Sequence, residues 1–424
     1  MSEAWQNKLR RLGVVKGARH LKSTYPDRSV QVKGPLPGRP APADIPQPLM
    51  PGGRLEETAV GPCFVVDKVY PLHFQHGSAD LAALLDHNPA AAATFCAEPR
   101  FDNCQFRDFL FIDTETTGLA GAGTIAFMVG AGFFEENAFV VRQYFLRDHG
   151  DEPAMLLLLD ELLAEKAGLI TFNGRSFDLP LLDRRYLMNR MASDVLQKPH
   201  LDLLPPARRL WRQRLGSCAL SALESRLLRV NRTQADVPGW LIPTLYHQYL
   251  LNGNTDEIER VFYHNHIDML SMVTLATEVM AYLEQSRSDL HPVDLLSLGK
   301  WQADLGLTET AEMTLRQAAA ADLPLDLYQQ SLHRLALLLK RAERREEAVP
   351  LWQQIAATSY DDVSAHVELA KHYEWHAHDL PQAQRWTEAA LGLIDRWSPA
   401  QARLVKDDLL HRLDRLQKKQ AGGG

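Results

Sequence analysis

The chain has 424 residues, of which 46% are apolar and 23% are charged. These fractions exclude a wholly disordered or collagen-like chain, and the length favours two or three domains. The formal net charge of −7 argues against a protein that binds polyanions over its whole surface. The four cysteines form neither a CxxC pair nor a disulfide framework, and the sequence has neither a secretory signal nor an apolar run long enough for a membrane helix. We therefore expect a cytoplasmic protein with reduced thiols.

Residues 1–60 are predicted to be a basic, Pro/Gly-rich flexible segment. Near its start, Trp5, Leu9 and Leu12 recur at a spacing compatible with a short basic amphipathic helix. The stretch GPLPGRPAPADIPQPLMPGG that follows has too little apolar surface to offset the entropy lost on ordering. We therefore expect a linker here, and a folded domain only after it.

From residue 61 onwards the sequence alternates predicted strands and helices. The central elements are a strand (108–113), a hairpin of two strands (124–134 and 138–146), a helix (153–165), a strand (168–172) and a helix (176–190). Three strands in a meander followed by a helix, a strand and a helix predict a mixed sheet flanked by helices. We assign residues 61–290 to this α/β domain, with its core at 105–285.

Beyond residue 290 the sequence is helical and self-similar. Pairs of small residues recur twelve or thirteen positions apart, namely Gly299 and Ala311, Ala336 and Ala348, and Ala370 and Ala383. Small residues at helix contacts with a period near 34 are typical of tetratricopeptide repeats, and a plain helical bundle is the alternative. We assign residues 291–418 to an all-α domain of such repeats, with a final helix at about 400–418 as its cap, and residues 419–424 to a tail.

The strongest chemical signal is the sequence DTETTG at the end of the strand DFLFID. Residues two apart on a strand point to the same side, so Asp113 and Glu115 present adjacent carboxylates. Each raises the pKa of the other unless a cation neutralises them, and hard oxygen ligands suit Mg²⁺ or Mn²⁺. The turn that follows lets the chain leave the strand beside a ligand, and we expect Thr116 and Thr117 to contact substrate.

Two further motifs follow in predicted strand and helix contexts. In NGRSFD, Ser176 is a candidate helix N-cap, and Asp178 lies near the carboxyl end of a strand, where ligands gather in α/β sheets. In YHNHID, His264 and Asp268 are four apart and share one face of a predicted helix. An imidazole beside a metal-bound carboxylate can orient water or accept its proton. Each motif alone also fits a turn, a helix start or a solvated face, but their combination is specific.

Asp113 with Glu115, Asp178 and Asp268, in this order, resemble the three exonuclease motifs of the DEDD superfamily, which has a ribonuclease H-like fold. More narrowly, FIDTETTGLAGAGTIAFMVGAGFF, ITFNGRSFDLPLL and HLDLL, followed by tetratricopeptide-like repeats, resemble the bacterial YprB-like family of predicted exonucleases. The resemblance implies a metal-dependent nuclease that hydrolyses phosphodiester bonds of DNA or RNA. It implies a 3′→5′ exonuclease that uses two Mg²⁺ or Mn²⁺ ions held by the four acids.

The third motif departs from both subtypes of the superfamily. The tyrosine subtype has Tyr four residues before the last Asp, where this chain has His264. The histidine subtype has His five residues before it, where this chain has Tyr263. We expect His264 to contact the nucleophilic water, with Tyr263 as the second candidate.

Basic residues are concentrated between residues 175 and 232, where twelve lysines and arginines face five acids. The run ARRLWRQR (207–214) suits phosphate contacts and base stacking, although a solvated helix face is the usual meaning of such a run. The expected substrate-binding residues here are Asn173, Arg175, Arg208, Arg209, Trp211 and Arg212. Asp202, in HLDLL, is expected to cap or pair structurally.

The predicted partners are DNA or RNA, as single strands or 3′ ends, and a protein bound by the helical repeats. Two other functions remain open. One is a structure-specific endonuclease on the same fold, which would use the same acids. The other is a catalytically weakened nucleic-acid-binding scaffold, which the irregular third motif suggests and the retention of all four acids opposes.

Overall fold

The computed structural model describes residues 50–118, 123–233, 236–359, 362–395, 397 and 399–421. The amphipathic helix predicted near the start of the chain lies outside the described residues. The described residues belong to one compact unit.

A seven-stranded mixed sheet lies at the centre of the first part of the chain. The described residues contain nine strands, of which all but β3 and β4 belong to this sheet. They are β1 (Gly53–Thr58), β2 (Gly61–Pro71), β3 (Gln75–His76), β4 (Ala79–Asp80), β5 (Phe109–Thr116), β6 (Ala126–Phe134), β7 (Ala138–Phe145), β8 (Gly168–Thr171) and β9 (His200–Asp202). The order in the sheet is β1-β2-β7-β6-β5-β8-β9, and β3 pairs only with β4. Strands β5, β8 and β9 are parallel, and the other neighbours are antiparallel. The predicted mixed sheet flanked by helices is therefore confirmed.

The sheet begins earlier than the sequence indicates. Strand β1 lies inside the segment 1–60 that is predicted to be flexible, and it pairs with β2 from Gly53 opposite Val66 to Thr58 opposite Gly61. Its residues alternate between half-buried and exposed, as expected for an edge strand with one covered face. The prediction that residues 1–60 are flexible is thus wrong at the carboxyl end of this segment, where six residues form a strand of the sheet.

Among the described residues, seven α-helices accompany the sheet: α1 (Ala90–Cys96), α2 (Glu152–Ala164), α3 (Asp178–Met188), α4 (Leu204–Leu215), α5 (Leu220–Leu223), α6 (Ile242–Asn252) and α7 (Asp256–Leu283). Successive residues of β5 point to opposite faces of the sheet. Phe109 and Phe111 belong to the apolar cluster that contains residues of α4 and of the carboxyl-terminal half of α7. Leu110 and Ile112 belong to the cluster formed with α2, α3 and α6. The sheet is therefore covered on both faces, and β5 lies in its interior between β6 and β8.

The remaining described chain is a stack of helices: α8 (Pro292–Asp304), α9 (Thr308–Ala320), α10 (Leu325–Arg341), α11 (Arg345–Thr358), α12 (Val363–Trp375), α13 (Leu380–Ile394) and α14 (Pro399–Ala421). Each helix packs against the next. The small residues singled out in the sequence lie at these contacts, because Ala311, Ala336 and Ala348 are fully buried and a Cβ on Gly299 would lie 2.8 Å from Leu315. Helix α14 continues to Ala421, into residues predicted to be a tail. Within the described residues, no helix combines the length and the apolar character needed to cross a membrane.

Candidate active site

Strand β5 places two of the predicted acids against helix α7. Asp113 and Glu115 continue the row of Phe109 and Phe111, so their side chains face the side of the sheet that α7 covers. Asn265 of α7 donates from Nδ2 to Asp113 Oδ2 at 2.9 Å. The helix that carries the third motif is therefore held directly against the strand that carries the first.

Asn265 is itself held in place from the sheet. Gln143 of β7 donates from Nε2 to Asn265 Oδ1 at 2.9 Å and to the carbonyl of Phe262 at 2.9 Å. Both Gln143 and Asn265 are fully buried. Although Gln143 Oε1 has no hydrogen-bond partner among the described residues, the bonds from its Nε2 hold Asn265 in place, and Asn265 in turn orients the Asp113 carboxylate.

The second motif lies beside β5 because its loop is tightly closed. Asn173 has a left-handed backbone with φ of 69°, and a Cβ on Gly174 would lie 2.5 Å from Thr171 Cβ. Asp202 accepts hydrogen bonds from the amides of Asn173 (2.8 Å), Arg175 (3.1 Å) and Leu204 (3.0 Å). Asp202 is therefore a structural support of this loop, the role that the sequence favours for it.

Asp178 is the first residue of α3, and Phe177 is the N-cap. The expectation that Ser176 is the N-cap is therefore wrong, because the loop continues for one more residue, Phe177, before the helix begins. Asp178 accepts from the amide of Thr114 at 3.2 Å and from its hydroxyl. This bond joins the second acid motif to the first.

The third motif is held by an arginine that sequence reasoning did not single out. Arg232 donates to Asp268 of α7 and also forms two bonds of 2.7 Å to the carboxylate of Glu224. Glu224 begins a π-helical turn, Glu224–Leu228, and is 1% exposed. Arg232 thus connects a buried carboxylate to the rim of the acid cluster, and π turns of this kind are frequent at functional sites.

The four acids share one electrostatic environment. Burial raises the pKa of Asp113 well above its ordinary value, and the charges of Asp268 and Asp178 raise it further. Burial, and then Asp113, Asp268 and Asp178, likewise raise the pKa of Glu115. Burial raises the pKa of Asp178 to about 6 against the hydrogen bonds from Thr114. Burial also raises the pKa of Asp268, although His264 and Arg232 oppose the shift. The acids therefore repel one another, and one guanidinium does not neutralise them.

A divalent cation fits this donor set chemically. Carboxylate oxygens are the ligands that Mg²⁺ and Mn²⁺ prefer, and a divalent charge would stabilise the ionised acids. Among the described residues, no three His, Cys, Asp or Glu side chains are arranged as a complete metal site. The protein donors explain the arrangement, since Asn265 engages Asp113, Thr114 engages Asp178 and Arg232 engages Asp268. An ion held by Asp268 would therefore take the place of Arg232.

His264 is oriented by a carboxylate. Its Nδ1 lies 2.7 Å from Asp236 Oδ1 and 3.1 Å from Arg232 Nη1, and its Nε2 lies 3.6 Å from Asp268 Oδ2. A carboxylate accepts, so Asp236 is placed to accept from Nδ1–H, and the Nε2 edge of the ring faces the Asp268 carboxylate. The hydroxyl of Tyr263, in contrast, accepts from the amide of Thr233 at 3.1 Å. The imidazole thus faces the acids, while the phenol braces a loop.

Comparison with known proteins agrees with this arrangement. A family model described as the RNase_H superfamily matches residues 110–280, which contain all four acids. The chain is also 30% identical over 349 residues to the "uncharacterized protein YprB" of Bacillus subtilis (strain 168), an alignment covering 78% of this chain and 80% of that protein. The chain belongs to the YprB family, within the ribonuclease H superfamily. Its ribonuclease H-like domain supports a hydrolase of the nuclease class with a nucleic-acid substrate, and such nucleases generally use divalent metals.

The threonines predicted to bind substrate brace the turn after β5 in this YprB-family domain. Thr116 donates from Oγ1 to the carbonyl of Gly118 at 2.8 Å, and Thr117 Oγ1 accepts from the amide of Ile125 at 3.1 Å. Asn173 and Arg175 are exposed on the loop that leads to Asp178. All four positions flank the acids, and their contact with substrate stays a prediction.

The residues of α4 divide into two sets. Arg208, Arg209 and Arg212 are exposed, whereas Trp211 is fully buried and contacts Tyr282 of α7 edge to face at 5.6 Å. The prediction that Trp211 stacks on bases is therefore wrong, because its indole belongs to the core between α4 and α7. The exposed arginines lie on the opposite side of the same helix.

Three residues that shape the site were missed in the sequence: Asn265, Arg232 and Asp236. Asn265 stands three residues before Asp268, so helical spacing alone places it on the same face. Arg232 and Asp236 lie between the π turn and α6, and their partners Asp268 and His264 are 36 and 28 residues away. No local pattern identifies them.

Proposed function

We propose that this protein is a metal-dependent nuclease that trims DNA or RNA from the 3′ end. The supporting observation is that Asp113 and Glu115 lie close enough to Asp178 and Asp268 for those charges to raise their pKa values, and that one arginine does not relieve the raised pKa values of the four acids. Such a cluster of buried carboxylates costs stability, and a function that needs divalent cations accounts for it.

The four acids would hold two Mg²⁺ or Mn²⁺ ions. When bound, these ions supply an activated water and neutralise the charge on the leaving oxygen. Asn265 keeps the Asp113 carboxylate turned towards the cluster, and Thr114 does the same for Asp178. The chain's own contribution is thus to hold the ligands in position before substrate arrives.

His264 would act as the proton acceptor. In the tautomer that donates from Nδ1 to Asp236, Nε2 would take a proton from a water beside Asp268. Arg232, once released from Asp268, would remain anchored by Glu224 with one edge of its guanidinium turned towards the site. That edge is suited to a phosphate oxygen.

Helices α8–α14 would form a tetratricopeptide-like repeat domain at residues 291–418. The support is the burial of small residues at successive helix contacts. All four cysteines are free, which supports work in a reducing compartment such as the cytoplasm.

The test is a time course on 5′-labelled 20-mers of DNA and RNA with Mg²⁺ or Mn²⁺. A ladder that shortens stepwise from the 3′ end supports the exonuclease, and Asp113→Asn is expected to abolish it. Asp160→Asn, a carboxylate on α2 outside the cluster, is the matched control and is expected to retain it. Internal cuts would instead indicate an endonuclease, and binding without products a scaffold. Undiminished hydrolysis by Asp113→Asn would refute the site.

A further inference from the structure

A cavity of about 430 Å³ lies among helices α8, α10, α11 and α12, outside the candidate active site. Lys300, Arg334 and Lys340 line it, with Glu368 as a carboxylate in the same wall. The apolar side chains at its surface are few, since Trp352 is 3% exposed and Leu337 is 38% exposed. The cavity thus combines charge and hydrogen-bond donors with apolar surface from these two side chains and from the alkyl stems of its lysines and arginines.

The charge of this cavity is positive in excess. Glu368 is shared by Lys340 (2.7 Å), Arg345 (2.9 Å) and Lys371 (2.9 Å). Burial raises the pKa of Glu368, but the bonds from Lys340 and Lys371 outweigh burial and lower it to about 2. One carboxylate therefore serves three cations, and a net positive charge remains at this wall.

The other two cations are still less compensated. Lys300 contacts only the amide oxygens of Gln330 (2.8 Å) and Gln213 (3.2 Å) among the described residues. Arg334 lies 3.7 Å from Asp304, and the same carboxylate also pairs with Arg209 at 3.3 Å. Arg334 and Lys300 are also close enough for the charge of Arg334, after burial, to lower the pKa of Lys300.

These contacts join the cavity to helix α4 of the ribonuclease H-like domain. Gln213 and Arg209 belong to α4, and the exposed Arg208 and Arg212 of the same helix form no ion pair within the part of the chain that the structure describes. The amide of Leu204, at the start of α4, bonds to Asp202, which holds the loop before Asp178. Cationic side chains therefore lie both on α4, whose first turn bonds to the support of the Asp178 loop, and on the wall of the cavity that α4 contacts; together they form one candidate surface.

We propose that this surface, the cationic strip of Arg208, Arg212, Lys300, Arg334 and Lys340, binds the phosphate backbone of a single-stranded nucleic acid whose end reaches the acid cluster. The inference rests on the proposed function, because it supplies a track for the same substrate. Lysine and arginine side chains spaced along a surface bind phosphates without contacting the bases. The affinity of the strip should therefore depend on the length of the nucleic acid and not on its base sequence. The helical stack then contributes to substrate binding directly.

The test uses the full-length protein in EDTA with fluorescein-labelled oligo-dT and oligo-U of 6 and 30 nucleotides. The 30-mers are expected to bind at least tenfold more tightly than the 6-mers, because only they reach from the acids to the cavity. Arg212→Glu and Arg334→Glu are each expected to remove most of this difference in affinity between the two lengths, called the length gap below. Each lost contact should also reduce the slope of log affinity against log salt by roughly 0.7. Arg385→Glu, an exposed arginine of α13 outside the cavity, is the matched control and is expected to keep the gap.

Equal affinity for both lengths, or a gap that persists in both strip variants, would overturn the proposal. Displacement by poly-glutamate as effective as displacement by an unlabelled 30-mer would also overturn it, in favour of acidic peptides. The two proposals fail separately. Mn²⁺-dependent cleavage of the 6-mer without a length gap leaves the nuclease and removes the strip. A gap that closes in the variants, with no cleavage at any length, leaves the strip and removes the nuclease.

Discussion

Asn265 of helix α7 reaches Asp113 of strand β5 only because the residue across the sheet from Asp113 is a glycine. Gly130 of β6 is the register partner of Asp113, and a Cβ built on Gly130 would clash with Asn265 Oδ1 and lie 2.9 Å from Nδ2. The absence of a side chain at Gly130 thus makes room for the amide that orients the carboxylate. A backbone position on one strand controls the geometry of an acid on the next.

Replacement of Gly130 by alanine should therefore displace Asn265 and, through it, disturb the position of the Asp113 carboxylate. The added methyl group displaces Asn265, and overpacking of this kind costs about 1–3 kcal/mol of folding free energy. We expect Gly130→Ala to lower metal-dependent hydrolysis at least tenfold, measured alongside urea unfolding. Gly392→Ala is the control, because its Cβ meets nothing within 4 Å on exposed helix α13 and should leave hydrolysis unchanged. Full activity of Gly130→Ala would show that Asn265 is dispensable.

Arg232 and a metal ion should compete for Asp268. Removal of the arginine alone would leave the buried Glu224 unpaired, at a cost of about 3–5 kcal/mol, so the variant to test is the double one, Arg232→Met with Glu224→Gln. We expect it to bind Mn²⁺ at least fivefold more tightly in calorimetry and to hydrolyse more slowly. The matched pair is Arg142→Met with Asp67→Asn, a two-bond ion pair on the sheet, which should not alter the affinity. Unaltered Mn²⁺ affinity in the Arg232 variant would contradict the exchange.

Trp211 should contribute to stability and not to substrate binding. Its indole is fully buried against Tyr282, so Trp211→Ala is expected to lower the free energy of unfolding by about 3–5 kcal/mol. Trp211→Phe keeps most of the apolar contact, and oligonucleotide affinity should match that of the unmodified protein. A large loss of affinity in Trp211→Phe, with the fold intact, would restore the stacking role that the structure denies.

Stability of the helical stack should depend on pH through Glu374. Its side chain is fully buried among Arg412, Arg415 and Lys419. Burial raises the pKa of this carboxyl, but the bonds from Arg415 and Lys419 outweigh burial and lower it to about 2. Because the pKa is lower in the folded than in the unfolded chain, the stabilisation is complete above pH of about 4.5 and is lost as the pH falls towards 2. Glu374→Gln should cost on the order of 2 kcal/mol at pH 7, and its difference from the unmodified chain should shrink at pH 3 in urea unfolding. A difference that is the same at both pH values would exclude this role.

The elements and the acids were predictable because their signals are local. The apolar run that forms β5 and the spacing of Asp113 and Glu115 both lie within a few residues, and the strand period places the two acids on one side. The position of Asp178 after β8 follows from the same reasoning. The alternation of a strand and the approximate start of a helix are encoded in short segments, and tertiary packing did not change these elements here.

The prediction for Trp211 was wrong because it gave the arginine-rich composition of the segment more weight than the helical spacing of its apolar residues. Ala207, Leu210 and Trp211 form one apolar stripe of α4 at helical spacing, and all three are fully buried. That stripe was readable in the sequence and favours a buried indole. The surrounding arginines suggested a binding surface, but they occupy the other faces of the helix.

The roles of Arg232 and Gly130 depend on contacts between distant segments, so no local sequence pattern predicts them. Arg232 meets Asp268 from a connection 36 residues away, and Gly130 matters only because it is opposite Asp113 in the sheet. These relationships exist only after β5, β6 and α7 have packed. They were therefore accessible only from the structure.

The most direct measurement is calorimetric titration of the full-length chain with Mn²⁺, in parallel with Asp113→Asn, Asp268→Asn and the control Asp160→Asn. The account predicts that the unmodified chain and Asp160→Asn bind two ions, and that each of the other two variants loses at least one. Absence of binding to the unmodified chain, or unchanged binding in both cluster variants, would contradict a divalent-metal site at these acids.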